Sequence, residues 1–168
     1  LFAFEWAKIK PDIVPIAKGI GGGFPIGACL MEKKVADAMK PGSHGSTFGG
    51  NPLGMAVASS VLDHILNKEF LNNVVEVGEY LKDQFSEKII KKFPKLVKGI
   101  RGKGLMLGIE AVENNEILIK EMIKQKILVV KAGQNVIRML PPLILEKKHV
   151  EEAIKKIDKA FEKVNEEN

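Results

Sequence analysis

Residues 13–30, IVPIAKGIGGGFPIGACL, constrain the fold more than any other stretch of the chain. An apolar run, 13–17, meets a single lysine, Lys18. Five of the next nine residues are glycine: Gly19, Gly21, Gly22, Gly23 and Gly27. A second apolar run, 26–31, follows. Short apolar runs bounded by glycine read as strands, so the order here is strand, lysine, glycine-rich turn, strand. Glycine admits positive φ and lets a bulky partner come close. A lysine desolvated between a buried strand and such a turn becomes a usable amine nucleophile, the group that Schiff-base chemistry requires.

Composition alone does not single Lys18 out. All but two of the 26 basic residues are lysine, and a lysine is most often a solvated surface charge. The glycines beside it and the downstream stretch SHGSTFGGNP, residues 43–52, make the difference. A nucleotide loop is the competing reading of the glycines, and the spacing argues against it. Phe24 stands where GxGxxG, begun at Gly19 and Gly21, needs its last glycine, and no Gly-Lys-Ser/Thr occurs anywhere.

Residues 40–50 read as a small polar loop containing Gly42, Gly45, Gly49 and Gly50. Asn51-Pro52 then signals a helix start, with asparagine as cap and proline in the first turn. This helix reads to about residue 68. Its positive end faces the loop that holds Ser46 and Thr47, which favours an anion there. Without the cap and the glycines, both would pass as ordinary loop hydroxyls.

Elsewhere the pattern is α+β. Residues 1–12 read as a short helix or turn, and 32–39 as a short helix. Residues 70–93 read as a long amphipathic helix ended by Pro94, with Val74, Val77, Leu81, Phe85 and Ile89 or Ile90 as its core stripe. Strands are expected at 97–101 and 105–112 around Gly102-Lys103-Gly104, and at 127–131 and 136–140 around residues 132–135. Helices are expected at 116–125 and 146–164, with 165–168 frayed. A domain boundary is expected near residues 66–72. Arg138 interrupts a strand otherwise written for burial. It is either a buried arginine with a carboxylate or phosphate partner, or an edge-strand arginine facing water. Arg101 reads as structural, in a polar turn.

The chain has 168 residues, enough for one domain or a domain and part of another. Its net charge of +5 is spread along amphipathic helices, unlike a nucleic-acid footprint, and no apolar run has membrane-spanning length. The single cysteine, Cys29, cannot form an internal disulfide and lies in an apolar run. It reads as a buried small hydrophobe in a reducing, cytoplasmic setting. His44, His64 and His149 lie too far apart for metal-ligand spacing. Leu1 is not an initiator methionine, and LFAFEWAKIKPD reads as the continuation of a longer chain.

Three motifs stand in order: Lys18 with its glycines, residues 46–52 (STFGGNP) and residues 138–142 (RMLPP). Together they resemble the class III, fold-type I, pyridoxal-phosphate aminotransferases, and most closely the acetylornithine aminotransferase branch. The resemblance runs over nearly the whole chain. It implies an α/β fold: residues 1–68 as the end of a large cofactor domain and 69–168 as a small C-terminal α+β domain. It implies that Lys18 binds pyridoxal 5'-phosphate covalently and is the catalytic proton carrier. Thr47 would bind the cofactor phosphate of a neighbouring subunit, Ser46 would lie at the substrate, and Arg138 would pair with a substrate carboxylate. The expected partners are a small-molecule amino donor, 2-oxoglutarate and a second copy in a homodimer with shared active sites. Neither nucleic acid, membrane nor metal is implied.

The expected reaction moves the terminal amino group of N-acetylornithine to 2-oxoglutarate. The alternatives are another ω-aminotransferase, acting on ornithine, 4-aminobutyrate or a succinylated diamine, and a non-catalytic interaction domain that kept the fold. The family's pyridine-nitrogen acid, ring-stacking aromatic and phosphate-binding helix start would all precede Leu1. The chain by itself is therefore expected to be inactive. Residues 70–164 are expected to fold alone, and 1–66 to be poorly ordered without what precedes them.

Overall fold

The structure, a computed structural model, describes residues 1–167. It divides into two compact units, Leu1–Leu71 and Asn72–Asn168.

The first unit opens with a short helix α1 (Ala3–Trp6), followed by strand β1 (Ile13–Ala17) and strand β2 (Gly27–Met31). These strands pair antiparallel, from Ile13 opposite Met31 to Ala17 opposite Gly27. A turn of 3-10 helix, Lys18–Gly21, leads into their connection. Gly22 continues it at φ 54°, and a Cβ there would lie 2.9 Å from Val61 Cγ2. Only glycine satisfies both that backbone and that contact. Helix α2 (Lys33–Ala36) is one turn long, shorter than the expected 32–39. It packs no residue into a buried position, so nothing extends it beyond its local bonds. Helix α3 (Pro52–Ile65) begins where the Asn-Pro signal puts it, with Asn51 Oδ1 accepting the Gly54 N–H at 2.7 Å. Helix α4 (Lys68–Phe85) follows directly.

The second unit is built on a four-stranded antiparallel sheet in the order β3–β4–β6–β5. Its strands are β3 (Val97–Lys103), β4 (Met106–Ala111), β5 (Val130–Ala132) and β6 (Val136–Met139). The first hairpin is tighter than expected. Gly104, at φ 51°, takes the left-handed position, which frees Gly102 and Lys103 to join the ladder. The β5 strand is shorter than expected and shifted towards residue 132. Ile127 and Val129 instead pack against the core as the chain leaves helix α5 (Asn115–Lys124).

Period-two burial on β4 puts Leu107, Ile109 and Ala111 on one face of the sheet. The stripe of α4 and that of helix α6 (Lys147–Glu167) cover this face. On α4, Val77, Leu81 and Phe85 are buried, and a turn of π-helix, Ser86–Ile90, carries the stripe on through Ile89. On α6, Val150, Ile154, Ile157, Phe161 and Val164 recur at spacings of three and four, the period of a helix face. Phe161 meets Phe85 and Phe93 edge-on, with centroids 6.5 and 6.0 Å apart. The α4 helix approaches the β3–β4 turn so closely that a Cβ on Gly78 would lie 2.3 Å from Gly104 O. The α6 helix runs on to Glu167 rather than fraying after residue 164, and Asn168 lies outside the described residues.

Two further expectations fail. Cys29 is exposed, because β2 has a partner on one edge only and the described residues leave all of β2 but Met31 open. Arg101 lies on strand β3, opposite Gly108, and not in a turn. No described helix is long and apolar enough to cross a membrane.

Candidate functional site

Lys18 follows β1 and begins the 3-10 turn with φ 56°, a left-handed conformation that costs a side-chain-bearing residue on the order of 1 kcal/mol. The hairpin positions it as the sequence indicates, directly after the strand and before the glycines. Its environment differs from the expectation. Lys18 and the flanking β1 residues are exposed or half-buried, so the described residues do not supply the desolvation that a buried strand would.

Ser46 and Thr47 share a turn in which the Gly49 N–H donates to Ser46 O at 3.2 Å. Asn51 Nδ2 donates to Phe48 O at 2.8 Å while its Oδ1 caps α3, so one side chain ties this turn to the helix start. Neither the Ser46 nor the Thr47 hydroxyl has a hydrogen-bond partner among the described residues. The glycine turn contacts α3 at Val61, nine residues and roughly 14 Å along the axis from Pro52. No described hydrogen bond joins Lys18 to Ser46 or Thr47.

Arg138 belongs to the other unit. It lies on β6, a central strand, which corrects the edge-strand alternative. The side chain is exposed because its face of the sheet is the one the helices leave open: its strand neighbours Ile137 and Met139, which point to the other face, are buried in the core and Arg138 is not. Its cross-strand neighbours are Gly108 and Val130, and it makes no ion pair among the described residues.

The sequence places Asn135 in a hairpin turn but does not show what its side chain holds. Its side chain donates to Ala111 O and Glu113 O at 3.0 and 2.8 Å and accepts the Asn115 N–H at 2.9 Å, which secures the β5–β6 turn. An asparagine at a tight turn was the available signal, and its φ of 58° bears that out. Clefts of about 490, 390 and 430 Å³ indent the surface, and none is lined by Lys18, Ser46, Thr47 or Arg138. In chemical terms the chain presents a primary amine on an open glycine turn, two unengaged hydroxyls before a capped helix, and one unpaired guanidinium on a sheet.

The family model described as aminotransferase class-III matches residues 1–161. The acetylornithine aminotransferase of Brucella melitensis is 48% identical over 165 residues, which are 98% of this chain and 41% of that protein. The enzyme of the same name from Bacillus subtilis is 44% identical over 160 residues, 95% of this chain and 41% of that protein. Among solved structures, ornithine aminotransferase from Toxoplasma gondii ME49 superposes with a TM-score of 0.88 at 31% identity. It covers 98% of this chain and 40% of its own. N-acetylornithine aminotransferase from Stenotrophomonas maltophilia K279a gives 0.87 at 32% identity, covering 99% and 44%. The chain spans about two fifths of the length of the curated relatives it matches.

Proposed function

The chain belongs to the class-III aminotransferase family, and we propose that it forms part of a pyridoxal-phosphate-dependent enzyme that moves the terminal amino group of N-acetylornithine to 2-oxoglutarate. The observation that carries this reading is the 42–48% identity, over 90% or more of the chain, to proteins named acetylornithine aminotransferase. In this reading residues 1–68 complete a large cofactor domain and 69–168 form the small C-terminal domain. Two copies associate and share their active sites.

The donor set suits the cofactor. The amine of Lys18 matches an aldehyde, and a hydroxyl such as Thr47 matches a phosphate monoester. When bound, pyridoxal phosphate supplies the electron sink that lets a proton leave the amino-bearing carbon. Lys18 Nζ is the group that would hold the cofactor, and its free amine would carry that proton away and return it. Its place at the head of a glycine turn leaves room for a bulky group on either side. Thr47 Oγ1 would donate to the phosphate bound in the neighbouring subunit, and Ser46 Oγ would lie at the substrate. Arg138 pairs its planar guanidinium with the carboxylate common to N-acetylornithine, 2-oxoglutarate and glutamate. Two parallel hydrogen bonds then fix the substrate's orientation.

The test is made in the full-length protein that carries this chain. Borohydride reduction followed by peptide mapping is expected to place the cofactor on Lys18. Lys18→Ala is expected to abolish transfer from N-acetylornithine with the circular dichroism spectrum unchanged. Label on another lysine would overturn the assignment. An amino-donor screen in which ornithine or 4-aminobutyrate outperforms N-acetylornithine would overturn the substrate.

A further inference from the structure

The only two arginines of the chain lie on the same open face of the second unit's sheet. Gly108 stands between them in the ladder: Arg101 is its partner on β3, and Arg138 its partner on β6. The adjacent row reads Gly99, Glu110, Val136. Glu110 is therefore the diagonal neighbour of both arginines, and diagonal neighbours on a sheet face are within reach of long side chains. The two rows together hold one carboxylate and two guanidinium groups with equal claims on it.

The structure resolves that competition in favour of Arg101. Arg101 Nε lies 3.4 Å from Glu110 Oε1, and Arg101 Nη2 donates to Gln134 Oε1 at 3.4 Å. Gly99 opens the space into which the carboxylate leans, since a Cβ there would lie 2.8 Å from Glu110 Oε2. On the other side Val136, itself 8% exposed, leans over Gly108, with its Cγ1 2.8 Å from where a Cβ would be. The Val136–Gly108 diagonal crosses the Glu110–Arg138 diagonal, so a methyl group stands on the path from the carboxylate to Arg138.

We infer that Arg101 and Val136 hold Glu110 away from Arg138, and that this sequestration keeps the Arg138 guanidinium open for the carboxylate of a substrate. The inference rests on the reading of Arg138 given above. Arg101 is then a positioning residue that never touches substrate. Its removal leaves Glu110 beside a single remaining cation, and the internal carboxylate then competes with the external one. Competition of this kind weakens binding of free acid while leaving the chemistry of the bound substrate alone.

The experiment uses the full-length holoenzyme. It measures steady-state kinetics with 2-oxoglutarate and calorimetric binding of glutarate, a dicarboxylate that carries no reacting group. Arg101→Met is expected to raise KM for 2-oxoglutarate and Kd for glutarate about tenfold, the size of one charged hydrogen-bonding contact, with little change in kcat. Adding Glu110→Gln in the same chain is expected to restore both. Arg101→Lys, which keeps a cation beside Glu110, is expected to stay near the parent. A merely structural ion pair predicts instead that the double variant remains as impaired as the single one, and that result overturns the inference. So does unchanged glutarate binding in Arg101→Met while Arg138→Lys weakens it, a pattern that leaves the role of Arg138 standing. Unchanged glutarate binding in Arg138→Lys removes the reading of Arg138 and the inference together.

Discussion

The two units carry apolar residues throughout and bury them very differently. Every buried apolar side chain among the described residues lies between Val77 and Val164, in the second unit, whereas the first buries only Gly21 and Gly54. Trp6, Phe48 and Leu53 of the first unit are 61%, 80% and 62% exposed, while Phe85 and Phe161 of the second are fully covered. The difference lies in architecture. A four-stranded sheet with α4 and α6 across one face closes a core from its own residues. A two-stranded hairpin cannot do so. Nor can α3, whose apolar side, with Val57, Val61, Leu62 and Ile65, is no more than half-buried. The proposed place of the first unit in a larger cofactor domain would account for that surface.

The sharpest way to break this comparison is to remove a large apolar side chain from each unit of the 168-residue chain. Phe161→Ala is expected to cost about 3–5 kcal/mol, because it empties a site bounded by Phe85 and Phe93. Leu53→Ala is expected to stay within about 0.5 kcal/mol, as an exposed position does. Chemical denaturation measures both. Hydrogen exchange adds the regional view, with β4 and β6 amides opening only on global unfolding and β1 and β2 amides opening locally. Equal losses, or equal protection, would mean that the first unit has a core of its own.

A smaller effect sharpens the functional side. In the full-length protein Thr47→Ala is expected to weaken cofactor retention by roughly 1.5–3 kcal/mol, one hydrogen bond to a charged group, with the Tm of the cofactor-free protein unchanged. Retention equal to that of the parent would leave the hydroxyl without its role.

The smallest effect is electrostatic and should not distinguish the units at all. In the first unit Glu5 is held below the usual carboxylate range mainly by its hydrogen bond from the Phe2 N–H, and Glu32 by Lys10. In the second, Glu116, Glu146 and Glu152 are held down by hydrogen bonds from Lys131, Lys148 and Lys156. A lowered carboxylate contributes stability above its unfolded pKa and loses it as pH falls through the folded value. Acid titration should therefore loosen both units slightly, and less at high salt because these groups are exposed. A strong acid transition confined to one unit would show that charge, rather than core, separates them.

Much was legible from one dimension. The α4 and α6 stripes could be read from three-and-four spacing, the α3 start from Asn51-Pro52, and the order strand, lysine, glycine turn, strand from apolar runs and punctuation. The Lys18 environment could not. Apolar composition predicts burial only when other chain is at hand to cover it, and β1 is written for cover that the described residues do not provide. Cys29 was misread for the same reason. Arg101 was misread because a strand can continue through glycine when a tighter turn, here at Gly104, lies one step further on.

Local rules, then, determined the candidate residues and the elements that bear them. Helical and strand periods, caps and turns act over a few neighbours, and the chain writes them out directly. Tertiary structure alone decided which face of the sheet stays open and that both arginines share it. It also decided that Glu110 turns towards one of them and away from the other. Strand register sets those relations, and register joins residues thirty positions apart through hydrogen bonds that no local pattern encodes.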